Sequence, residues 1–469
     1  LSSMNADRQI SVSDLKVDMA HILMLKKQHL IDTESAEKLL KILLKYYEEG
    51  LPEEAFNETH EDIHAGIEAS LILEAGADAG GRMHLGRSRN DEVATCLRMR
   101  TRELILNILT KTFELRRALI SKADENTNTI MPGFTHLQHA QPTTLAHYML
   151  SYENLFSRDS ARLFDTYARV NKSPLGSAAF AGTGFQLDRE YTAELLGFTA
   201  PLENSMDAVA NRDFIAETIA DLTIIMTNIS RMCEELILWS ASLVHFVVLN
   251  DAYCSTSSIM PQKKNPDTLE IMRAKSAAAI GELTTALTLI KALPMSYNRD
   301  LQELNPHLWN AFYITDSTLQ LLTEIISTAE FDEAAMKKSA KIGNTGATEI
   351  ADYLVREYSI PFRTAHNIVG RAVKLGSVDI DTLEKAALEL EGISLKEKGL
   401  EQSKIDKLMN PKEIVKQKKT LGSPNPKLMK KAVLIADARL VQDEVTGDMI
   451  YDQLKESDDK IKTAIMEIK

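Results

Sequence analysis

The sequence predicts an all-α protein of three helical domains, with unusually long helices in the middle one. Three observations carry the prediction. Twenty glycines and thirteen prolines make up about 7% of 469 residues, where roughly 12% is usual, so turns are few and elements long. Neither residue occurs in Arg87–Met131, Leu202–Met260 or His307–Ile342, each several times longer than a mean helix of about 11–12 residues. Alternating strand patterns are scarce, whereas Leu97, Leu104, Ile108, Leu115 and Leu119 form a heptad seam that suits a bundle of long helices.

Residues 1–88 read as an N-terminal helical domain of shorter patterns, such as Thr33–Tyr47, ending in the turn-rich Gly76–Gly86. Residues 89–337 read as the long-helix domain. Its second window carries Phe214, Ile215, Ile219, Leu222, Ile225, Met226, Ile229, Met232 and Leu236, an apolar surface wide for one helix. Glu217, Asp221 and Arg231 exclude a membrane span there, so the helix wants protein neighbours on several sides. Residues 338–469 restart as shorter helices broken by Pro361, Gly370, Gly376, Pro411 and the Gly422–Pro426 stretch.

Composition narrows the function. Lys and Arg number 54 against 67 Asp and Glu, a net charge of −13, which disfavours nucleic acid as a partner. The three cysteines, Cys96, Cys233 and Cys254, offer no CxxC, so neither a disulfide framework nor a thiolate zinc site is expected. No stretch reads as a secretory signal or membrane helix, and a reduced, cytoplasmic setting is the expectation.

Four polar segments interrupt the helical texture. Gly86–Glu92 places two arginines and Asn90 where a helix begins; Ser88, Asn90 or Asp91 can cap it. The segment reads either as a solvated helix entry or as a site for a carboxylate or phosphate. In Pro132–Pro142, Pro132-Gly133 reads as a turn and Pro142 as a first helical position, leaving Thr135, His136, Gln138 and His139 on a loop. An HxxH without a nearby carboxylate is weak metal evidence; proton transfer or a surface role are the readings left. Ser255–Asp267 joins hydroxyls, Lys263, Lys264 and a helix start, with Asn265 as N-cap and Pro266 as first position. It reads as an anion site or a mobile lysine-rich loop. Ser296–Gln302 offers further donors and says little alone. Gly176–Gly184 lacks the lysine and the preceding strand of a nucleotide loop.

Together these motifs resemble the fumarase/aspartase superfamily, and within it the argininosuccinate lyase family. Ser257-Ser-Ile-Met-Pro-Gln-Lys-Lys-Asn265 is similar to the superfamily signature. His84-Leu-Gly-Arg-Ser-Arg-Asn-Asp91, Thr135-His-Leu-Gln138 and Tyr297-Asn-Arg-Asp-Leu-Gln302 match in order, and the likeness runs on through Gly346–Asp352 and Pro361–His366. The resemblance implies a homotetramer with the long helices at its core and active sites built from three subunits. It implies reversible elimination of fumarate from argininosuccinate, with no cofactor and no metal. By motif match His136 and Ser257 are the acid/base pair, Glu270 orients the histidine, and Lys263 and Asn265 face the developing charge. Ser3, Arg89, Asn90, Thr135, Tyr297 and Gln302 match substrate-binding positions, and His64 a supporting one. Which of Ser257 and His136 takes the C–H proton stays open. Two departures stand out: Asn305 where some members carry a substrate-contacting Lys, and Thr256 where a Gly often precedes the serine pair. The alternatives are a sister lyase acting on adenylosuccinate and a non-catalytic, crystallin-like protein of the same fold.

Overall fold

The structure, a computed structural model, describes residues 2–468. After a one-turn helix at Met4–Asp7, three helices build the N-terminal region: α1 (Ser11–Lys27), α2 (Thr33–Glu49) and α3 (Ile63–Ala75). Asp32 caps α2 and Asp62 caps α3, each accepting a backbone N–H three residues on. Helix α1 is buried nearly all round, so it forms the centre of this region rather than its surface.

The first Gly/Pro-free run becomes α4 (Arg89–Glu125), a 37-residue rod about 55 Å long. Ser88 caps it in a reciprocal box with Asp91. The next stretch departs from the sequence expectation. Pro132-Gly133 is not a turn and Pro142 does not open a helix. Ile130–Thr135 (β1) and Gln138–Thr144 (β2) form an antiparallel hairpin in which Pro132 faces Pro142. Neither proline has an N–H to give, which a two-stranded ribbon tolerates. The register shifts between Pro132 and Phe134, and the turn itself is His136-Leu137, with φ of 56° and 57°. Thr144 then caps α5 (Leu145–Val170).

The bundle continues with α6 (Asp213–Ser240), α7 (Asp267–Ile290) and α8 (Leu304–Thr328). Helix α4 packs on α5 and α8, and α6 packs on α5, α7 and α8. The wide apolar surface read in α6 is thus shared among three neighbours. Before α7, Asn265 is not the N-cap: Ser255–Thr256 pairs with Lys264–Asn265 as a short ribbon, and α7 begins at Asp267, whose Oδ1 accepts the Ser255 N–H at 2.8 Å.

Beyond α9 (Glu333–Ser339), α10 (Ala347–Tyr358), α11 (Phe362–Lys374) and α12 (Ile380–Glu391) enclose a small core of their own, including Ile350, Leu354, Ile368 and Leu383. The hairpin rests on α9 and on α13 (Pro411–Gln417). The last helix, α14 (Pro426–Met466), leaves this small core and packs along α4 and α5. There the wholly buried Arg116 holds Glu153 at 3.2 Å and Asp443 of α14 at 2.6 Å. No described helix is long and apolar enough to cross a membrane.

Candidate active site

Two of the four polar segments, Gly86–Glu92 and Ser296–Gln302, meet Ser3 and the start of α3 at one end of α4. A narrow cleft of about 60 Å³ is lined by Ser3, His64, Arg89, Asn90, Tyr297 and Gln302, which sequence reasoning assigned to substrate binding and support; Thr135 and Asn265, assigned to binding as well, do not line it. Asn305, the departure noted above, lines it too and is 2% exposed. Each lining residue is placed by its element. Arg89 and Asn90 are the first two residues of α4, where unpaired N–H groups and the helix dipole favour an anion. The Asn90 amide donates to the Ala179 carbonyl at 3.1 Å, and the Gly176 and Ala178 N–H groups both donate to Asp91 Oδ2. Gly176 sits at φ +87°, so the glycine-rich segment is a close backbone clamp on the α4 entry rather than a ligand loop. The Arg89 guanidinium lies 3.6–3.7 Å from Glu61, Asp62 and Glu68, ion-pair distances longer than a hydrogen bond.

Behind the cleft lies a buried ionic cluster. Arg87 pairs with Asp18 at 2.6 Å and Glu92 at 3.0 Å. His64 Nδ1 lies 2.8 Å from Asp14 Oδ2 and 3.7 Å from Glu92 Oε1. Burial pushes the Asp18 carboxyl up to about 7 against the pull of Arg87, and pushes Glu92 well above the usual range. Burial also works against the His64 imidazolium, but Asp14 outweighs it and, with Glu92 and Asp62, raises the group to about 10. The cations Arg87 and His64 thus lie among Asp14, Asp18 and Glu92, so the buried charges are paired rather than isolated.

The remaining motif residues lie apart from this cleft. His136 and Thr135 are exposed at the hairpin tip, and the His136 side chain makes no hydrogen bond among the described residues. The tip is anchored from below, where His139 Nε2 meets Ser339 Oγ at 2.9 Å. Ser257 opens the loop between the two ribbon strands. Its Oγ accepts N–H groups from Met260 at 3.1 Å and Ile259 at 3.3 Å, and its own N–H donates to the Lys263 carbonyl. Two donors on one oxygen favour negative charge there. The paired lysines differ: Lys264 folds back on the Leu249 carbonyl and Asp251, whereas the exposed Lys263 ammonium makes no ion pair among the described residues. Glu270 is exposed on the first turn of α7.

Sequence reasoning missed Asp7, Asp62 and Arg212 in the cleft wall, and Asp14 and Asp18 behind it. Ser3 Oγ donates to Asp7, and Arg212 donates to the carbonyls of Val209 and Asn211 at 3.0 Å. A signal for two of them was present. Asp14, Asp18 and His21 recur at i, i+4, i+7 on one face of a helix that is otherwise apolar. The larger groove, about 830 Å³ between α4 and α14, holds none of the motif residues.

Comparison with known proteins follows the same lines. A family model described as Lyase matches residues 3–281, and one described as Argininosuccinate lyase C-terminal matches residues 344–416. The chain is 73% identical over 468 residues to the argininosuccinate lyase of Methanocorpusculum labreanum, covering 100% of this chain and 95% of that relative. It is 58% identical to the one from Methanoculleus marisnigri, covering 91% and 87%. Among solved structures, EDDS lyase in complex with formate superposes with a TM-score of 0.90 at 29% identity, covering 100% of this chain and 93% of that one. A class II fumarase from Schistosoma mansoni shares the fold, with a TM-score of 0.73 at 17% identity, covering 86% and 90%.

Proposed function

This chain belongs to the argininosuccinate lyase family of the fumarase/aspartase superfamily and is a carbon–nitrogen lyase, and we propose that its elimination of fumarate from argininosuccinate, leaving arginine, runs on Ser257 and His136. The base removes a weakly acidic C–H beside a carboxylate. Ser257 suits this step, because two backbone N–H groups on its Oγ stabilise the alkoxide that must form. The carbanion spreads onto the neighbouring carboxylate as a doubly charged aci form, and Lys263 and Asn265 supply donors that grip it more strongly than the substrate. The leaving guanidino nitrogen takes its proton from His136, through water, with Glu270 orienting the ring.

One observation carries the substrate reading. The cleft gathers Ser3, His64, Arg89, Asn90, Tyr297 and Gln302 from segments far apart in sequence, and all are donors or cations fitted to carboxylates. At about 60 Å³ it has room for roughly two waters, far less than argininosuccinate needs. That fits a site completed by other copies, whose hairpin tips and Ser257 loops would close it. A homotetramer built on the bundle also accounts for the apolar side chains left exposed on α6, α7 and α8, among them Leu238, Ile271, Ile280, Leu287 and Tyr313. On this reading the enzyme is cytoplasmic and completes arginine biosynthesis.

Fumarate release, followed by ultraviolet absorbance, from argininosuccinate and adenylosuccinate side by side tests the assignment. Release from argininosuccinate alone is expected. Release from adenylosuccinate alone would replace it with the sister lyase, and release from neither would point to a crystallin-like protein.

A further inference from the structure

His64 sits between two environments. The ring borders both the buried cluster and the cleft. Nδ1 lies 2.8 Å from Asp14 Oδ2 as an ion pair rather than an aligned hydrogen bond, and both side chains are buried, 2% and 0% exposed. Nε2 is buried as well and, unlike Nδ1, has no ion-pair contact with an acid among the described residues; neither ring nitrogen makes a hydrogen bond among them, and the ring lines the cleft beside Ser3, Asn90 and Tyr297. A buried ring nitrogen without a partner costs free energy unless something else fills the place. We propose that Asp14 is a positioning residue: holding His64 by its Nδ1 edge, it presents Nε2–H to the cleft as the donor to a carboxylate of the bound substrate. The identity of that carboxylate rests on the argininosuccinate reading; the pairing itself does not.

The charges support a donor rather than an acceptor at Nε2. From α1 the ring meets Asp14 and, farther off, Asp18; from the start of α4 it meets Glu92, which Arg87 just ahead of that helix also pairs; from its own helix entry it meets Asp62, and from the one-turn helix Asp7. Burial disfavours the imidazolium, yet Asp14 and the other acids raise it to about 10. Asp14 itself stays below the usual carboxylate range despite its burial, because His64 and Arg87 face it. The partnership is therefore mutual. An amide at position 14 would leave one cation of the cluster without its counter-charge, and the ring would surrender its proton to restore balance.

The test uses the full chain in its native assembly, labelled with ¹⁵N-histidine, with the His64 signals assigned by their loss in His64→Asn. In the wild type at about pH 8, where an ordinary histidine is neutral, both ring nitrogens are expected to be protonated, and added succinate should shift Nε2. In Asp14→Asn the ring should be neutral. KM for argininosuccinate should rise about tenfold, as for a lost charge-assisted hydrogen bond, with kcat within about threefold. That rise should shrink as pH drops towards 6, where the ring regains its proton. A purely structural Asp14 would lower kcat and KM quality alike without this pH dependence, and that result would overturn the proposal. A neutral His64 ring in the wild type, or no response to succinate, would overturn it even if Asp14→Asn fails to fold. A wild type that shows the imidazolium and the succinate response but releases no fumarate would leave the Asp14–His64 pair standing and remove only the substrate reading.

Discussion

Lys263 and Lys264 are neighbours in sequence with different surroundings. The Lys264 ammonium is folded onto the Leu249 carbonyl and Asp251, and the exposed Lys263 ammonium makes no ion pair among the described residues. Ser257→Ala and His136→Asn should each lower kcat by about 10²–10⁴-fold with the assembly intact on a sizing column, whereas Lys264→Ala should cost far less than Lys263→Ala. Near-normal turnover in either of the first pair would remove the acid/base assignment. The buried histidines give a second prediction. His64 is raised to about 10 in the folded protein, so its stabilising contribution is complete below about pH 6.5 and is lost as pH rises towards 10. His84 is lowered to about 3, burial being the main cause, so it acts oppositely below about pH 6.5. Thermal unfolding should therefore show stability falling on the alkaline side, with a flatter decline in His64→Gln; an equal slope would count against a charged His64. At this scale the sequence was legible where residue types were out of place, as with two arginines at a helix entry. Asp7 and Arg212 escaped because nothing local marks them. Their role exists only once Met4–Asp7 and the α6 entry fold against α4.

The elements show why motif and local structure diverge. Ser88 could be read as a cap because capping is a local contract between a hydroxyl and the N–H groups after it. Ser88→Ala should cost about 1 kcal/mol in chemical denaturation and, since Arg89 and Asn90 occupy the same turn, raise KM more than it lowers kcat. An unchanged KM would separate the cap from the cleft. The hairpin was illegible for the opposite reason. Proline and glycine dominate local reading, yet Pro132 and Pro142 face each other across strands, and the actual turn falls on His136-Leu137, two residues that ordinarily avoid positive φ. Holding them there costs on the order of 1–2 kcal/mol per residue. The surrounding packing on α9 and α13 sustains that cost and sets His136 at the apex.

For the whole molecule, helix length and the heptad seam were enough to read a bundle, because they follow from composition and spacing alone. They say nothing of whether a site lies within one chain or, as proposed, between several. If His136 and Ser257 reach a cleft from different copies, mixing inactive His136→Asn with inactive Ser257→Ala after mild dissociation should restore measurable fumarate release, since some hybrid sites then contain neither lesion. No recovery, with mixed assemblies confirmed by mass, would place all the groups within one subunit. The return of α14 along α4 has a further consequence. Arg116 is buried in the first bundle helix, and one of its two carboxylate partners, Asp443, lies 327 residues downstream. A nascent chain stalled or cut short before that point would strand a half-paired cation inside apolar surroundings. The rod that carries Arg89 and Asn90 at one end thus gains its full set of ionic partners only once Asp443 has left the ribosome, and a lesion in α14 can silence a pocket none of whose lining residues lies beyond Asn305.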